Sequence, residues 1–135
     1  MSRSFLYGVL AAGDLAVFLA FPALGVRSHE EPLLGMTLLR NTVPFAAAWF
    51  IAAPLLGAFR ARALGSPKGA GLAVLLAWPA AGLAGLVLRS WLFTRPWAWS
   101  FAIVALVVQG ALLFAWRLAF AAFLGRRAAA KVDQR

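Results

Sequence analysis

Apolar residues run almost unbroken through four long stretches of this chain, and polar positions gather in the short gaps between them. Ser4 to Val26 holds a single charge, Asp14, while Asn41 to Phe59, Gly69 to Leu88 and Trp97 to Trp116 hold none. Each is close to the ~20 residues that cross a ~30 Å hydrocarbon core. No period-2 alternation recurs, which argues against a transmembrane β-barrel. The pattern predicts an all-α integral membrane bundle of four transmembrane helices over about 5–25, 36–59, 70–92 and 97–123. These make one membrane domain, 1–124, followed by a basic tail, 125–135.

Composition fits this: 64% of the residues are hydrophobic and 13% charged, a balance foreign to a soluble domain of 135 residues. The net charge of +9 sits in loops and tails, not on a folded face, so it predicts topology and not nucleic-acid binding. Arg3, then Arg60, Arg62 and Lys68, then Arg126, Arg127, Lys131 and Arg135 fall on one side. Arg27 and Arg95 fall on the other, beside Glu30 and Glu31. Both termini are therefore expected in the cytoplasm, with the loop between the second and third helices, and the chain in the cytoplasmic membrane. The first apolar run is too long for a signal-peptide h-region, carries Asp14 at its centre and lacks an A-x-A-like site; it is expected to be a retained helix. Cysteine is absent, which removes disulfides and thiolate metal sites.

Small residues recur at four-residue steps in the first helix (Gly8, Ala12, Ala16, Ala20) and in the third (Ala73, Ala77, Ala81, Gly85), a spacing that lets membrane helices approach closely. Asp14 lies about 200° around the helix from the first stripe, so the first helix is expected to have partners on two sides. The two faces point either to a central place in the bundle or to one face used within the chain and the other in a homodimer. Arg89 continues the second stripe and is predicted to face a helix interface. Leu24-Gly-Val-Arg27-Ser28 also resembles Leu86-Val-Leu-Arg89-Ser90, as a parallel duplication would produce.

An ionisable residue at mid-membrane costs at least ~2.5 kcal/mol and is a functional candidate by default. Depth arithmetic places Asp14 about 16 Å and Gln109 about 18 Å below the opposite interface, which makes Gln109 the first expected partner of Asp14. Arg89 and Arg117 are the candidate charge partners, because both lean towards the midplane. Arg27, Arg40, Arg89 and Arg95, with Asn41, Thr42 and Ser90, gather at the outer interface. They suit a phosphate or carboxylate, or else lipid head groups and the two glutamates. His29-Glu30-Glu31 lacks the spacing of a metal site, and no nucleophile has a base at hand, so neither a metal, a cofactor nor an enzyme activity is expected.

Gly13-Asp14, Arg27-Ser28-His29-Glu30, Pro44 with Trp49, Pro54-Leu-Leu-Gly57 and Arg89, set in a four-helix span from Phe5 to Phe120, resemble an uncharacterised prokaryotic family. It is the membrane family called domain of unknown function 3054. The resemblance implies a small multi-pass membrane protein and brings no activity or catalytic residue with it. The function expected first is a small transporter or channel-like component with a midplane polar site; the alternatives are a non-catalytic structural or accessory membrane protein, and a binder of a lipid-linked or anionic ligand at the outer arginines.

Overall fold

A computed structural model describes residues 1–29 and 35–135, with the side chains of 26–29 excepted. The described chain is helical throughout: α1 (Arg3–His29), α2 (Gly35–Leu55), α3 (Ala61–Leu64), α4 (Pro67–Leu92) and α5 (Trp99–Asp133). All but α3 are long and apolar enough to cross a membrane. They run up and down and close a ring in which α1 packs on α2 and α5, and α4 packs on α2 and α5.

The ends of these helices follow from local chemistry. Ser66 caps α4 by accepting from the Gly69 N–H at 3.1 Å, with Pro67 in the first turn where no amide donor is needed. α2 stops earlier than its apolar run predicts, at Leu55 and not near Phe59. Gly57 takes φ +84°, and the bonds Ala58 N–H to Ala53 C=O and Gly57 N–H to Pro54 C=O close a Schellman motif. In the other direction α5 overruns its prediction: the basic segment after Gly125 continues the helix to Asp133 instead of leaving it as a tail.

Prolines inside the spans need substitute donors. Pro22 has no N–H to offer Phe18 one turn back, and the Thr42 hydroxyl of α2 donates to that Phe18 carbonyl at 3.2 Å. The Phe18 ring meets Trp78 at 5.9 Å and Trp49 at 6.5 Å, and Phe45 meets Trp78 at 6.4 Å. These rings fill the centre with a dry aromatic layer.

The small-residue stripe of α4 lies in a helix interface, and the structure shows α2 as the neighbour at Gly85: Ala77, Ala81 and Gly85 are buried, and a Cβ on Gly85 would strike the Phe45 side chain at 2.5 Å and its Cα at 3.1 Å. The stripe of α1 behaves differently. Gly8, Ala12 and Ala16 are exposed, so α1 uses only its Asp14 face within the chain.

Candidate functional site

Two polar constellations stand on either side of the aromatic layer. The first is built on Asp14, fully buried on α1. Arg117 of α5, 1% exposed, reaches back along its helix and grips the carboxylate with two bonds, Nε to Oδ1 at 3.1 Å and Nη2 to Oδ2 at 2.6 Å. Trp49 of α2 donates its indole N–H to Oδ2 at 2.9 Å. The Schellman turn after α2 directs the Ala58 carbonyl inward, where it accepts from Arg117 Nη1 at 2.5 Å. Phe59 and Trp49 lie against the guanidinium, 4.7 Å and 5.1 Å from its carbon. One arginine thus ties α1, α2 and the turn beyond α2 to α5.

Gly13 makes this close approach feasible, since any Cβ there would overlap the Trp116 ring. The pair is neutral as a whole, bidentate and without water access, the geometry in which a buried ion pair offsets its desolvation.

Gln109 is buried but does not meet Asp14. Its amide donates to the Ala105 carbonyl of its own helix at 3.2 Å, and its Oε1 has no donor among the described residues. The expected Asp14–Gln109 bond is therefore replaced by Asp14–Arg117. Equal depth along the membrane normal does not fix the rotation of a side chain about its helix. Arg89 is also absent from this centre. It belongs to α4, which lies across the ring from α1.

The second constellation lies at the mouth opposite the termini. Arg40 of α2, Arg89 of α4 and Arg95 of the α4–α5 connection line a cavity of about 280 Å³, together with Phe21 and Pro22 of α1 and Phe101 and Val104 of α5. Arg89 Nε donates to Asn41 Oδ1 at 3.1 Å, and its guanidinium carbon lies 3.8 Å from the Phe101 ring centre. Arg40 is held more loosely, by a 3.4 Å bond to Thr37 Oγ1. None of the three meets a carboxylate among the described residues, where the Asp14–Arg117 pair is the only ion pair. The side chains of Arg27 and His29, and the whole of Glu30 and Glu31, lie outside the described set.

The backbone is strained to complete this mouth. Thr94 is β-branched and yet sits at φ 50°, a left-handed conformation costing ~1–2 kcal/mol. That turn folds the chain back so that the Arg95 N–H reaches the Ser90 carbonyl at 3.2 Å, bringing Arg95 into line with Arg89. No pattern in the sequence announces a left-handed threonine. Trp49, Ala58 and Thr94 are the contributors that sequence reasoning missed. Only Trp49 left a trace, as a tryptophan at the middle of a span, away from the interfacial belt where that residue usually lies.

Among known proteins, the model of a family described as "Protein of unknown function (DUF3054)" matches residues 11–120. No curated protein and no solved structure matches.

Proposed function

The chain belongs to the DUF3054 family of proteins of unknown function and is a multi-pass membrane protein, and from its own geometry we propose that it binds an anionic group at the arginine-lined mouth. The observation that carries the reading is the convergence of Arg40, Arg89 and Arg95 on one cavity with no carboxylate among its lining residues. Guanidinium groups offer planar pairs of N–H donors that match phosphate or carboxylate oxygens. Among the described residues Arg89 donates only through Nε, to Asn41, and it lines the cavity.

The N-terminus of α5 adds to the same field. Ala98 supplies no side-chain cap to the first amides of a 35-residue helix, and Phe101 from that first turn lines the cavity. Uncapped amides at a helix start favour an anion. Asp14, in contrast, is fully occupied by Arg117 and Trp49, which suits a static lock between helices.

Transport through a midplane site is the second reading, favoured by the buried Gln109 Oε1 without a donor among the described residues, a position that a water molecule would satisfy. The two readings separate experimentally. Inorganic phosphate added to the purified protein in neutral detergent, with chloride at matched ionic strength as control, is expected to raise the thermal midpoint of the wild type and not of Arg89→Gln. An equal shift in both proteins refutes anion binding at the mouth. Proton uptake by proteoliposomes that is abolished by Gln109→Leu supports transport instead.

A further inference from the structure

We infer that the anion taken by this mouth is the phosphate of a lipid, held by its head group on the arginines with the start of its apolar chain lying along α5. The inference rests on the anion-binding reading above and adds the class of ligand. A free anion engages only the donors of a site, and an apolar wall adds nothing to its binding. This cavity is divided. Arg40, Arg89 and Arg95 with Thr37 and Asn41 form its polar lining, and Phe21, Pro22, Phe101 and Val104 form its apolar lining.

The depth of that apolar wall is the telling feature. Val104 is five residues along α5 from Trp99, about 7 Å further into the span. Trp97 and Trp99 are exposed and in edge contact at 5.5 Å, the placement expected at the membrane–water boundary. The cavity therefore starts at the boundary and descends into the hydrocarbon layer. Val104 is also 51% exposed, which puts the lower end of the cavity in contact with bilayer lipid and leaves it open to a chain entering from the side.

Volume agrees with this division. About 280 Å³ equals roughly nine water molecules at liquid density, more than an isolated phosphate ion needs. A phosphate head group with its first methylenes uses both halves. Arg89 is already pressed flat on Phe101 at 3.8 Å, so the cationic and apolar walls meet at one residue pair. The Thr94 turn ends α4 through the Arg95 N–H to Ser90 C=O bond and returns Arg95 to the cavity.

The test compares three probes on the full chain in neutral detergent: inorganic phosphate, glycerol 3-phosphate and dihexanoyl phosphatidic acid, the last below its micelle-forming concentration. The short-chain lipid is expected to bind about tenfold or more tighter than glycerol 3-phosphate, the equivalent of two buried methylenes. Val104→Trp is expected to erase that advantage, bringing the affinity for the lipid down to that for glycerol 3-phosphate measured on the same variant. Arg95→Gln, at an exposed position where folding is safe, is expected to weaken all three probes. Equal affinity for lipid and glycerol 3-phosphate, or an advantage that survives Val104→Trp, overturns the lipid assignment and leaves anion binding standing. Failure of all three probes to bind overturns both.

Discussion

Removing the Arg117 side chain is the sharpest perturbation of the buried centre. Arg117→Met keeps an unbranched apolar stem and deletes three hydrogen bonds, two to Asp14 and one to the Ala58 carbonyl. Asp14 retains only the Trp49 indole, in a position with no exposure. An orphaned buried charge of this kind costs about 3–5 kcal/mol, while exchange of an entire pair for apolar groups is often neutral or stabilising. Asp14→Leu alone strands the guanidinium and falls in the same range.

The double variant Asp14→Leu/Arg117→Met is expected to recover most of the loss, with a coupling energy of about 3 kcal/mol or more. Equilibrium unfolding in mixed micelles, followed by far-ultraviolet circular dichroism, measures all four corners of the cycle. At roughly 3 °C per kcal/mol for a chain of this size, each single variant should lose about 10 °C in thermal midpoint. Additive single effects, or losses below about 1 kcal/mol, would show that Asp14 and Arg117 are not in contact in a dry interior.

Gln109→Leu should stabilise the protein by about 1 kcal/mol in the same unfolding assay, because it removes a buried acceptor without a donor; a loss of several kcal/mol would mean that Gln109 has a partner in the interior. Trp49→Phe keeps the ring but not the donor to Asp14 and should cost about 1.5–3 kcal/mol, with no loss refuting the 2.9 Å bond. Gly85→Leu should be severely destabilising, since Phe45 occupies the space of its first side-chain carbon; a variant of normal stability would contradict the close α2–α4 approach. Thr94→Gly should gain about 1 kcal/mol by relieving the left-handed turn, and a loss would argue that φ 50° is not its conformation.

The spans were legible because a bilayer needs long apolar runs, and the α4 interface because its small residues keep a four-residue step. What the sequence does not carry is the order of helices around the ring. Asp14 had three cationic or polar candidates at compatible depths, and only the ring selects among them. With α1 placed beside α2 and α5, Arg89 on α4 is out of reach, and Arg117 has a direct path. Rotation about the helix axis does the rest, turning Gln109 onto its own backbone. The exposed stripe of α1 shows the same limit from the other side: its spacing marks a smooth face and does not say what covers it. At the mouth, the arginines were visible as a cluster at one interface. Their convergence depends on a strained Thr94 turn that no propensity predicts.

The most direct test of the account is to set the two polar constellations against each other in one titration. Calorimetric titration of inorganic phosphate at low ionic strength is to be run on the wild type, Arg89→Gln and Asp14→Asn. If function lies at the mouth and Asp14 belongs to a static lock, Asp14→Asn binds phosphate within about twofold of the wild type. Arg89→Gln loses about tenfold or more, the range of a hydrogen bond to a charged group. A loss in Asp14→Asn as large as that in Arg89→Gln would contradict the account and return the functional centre to the midplane carboxylate.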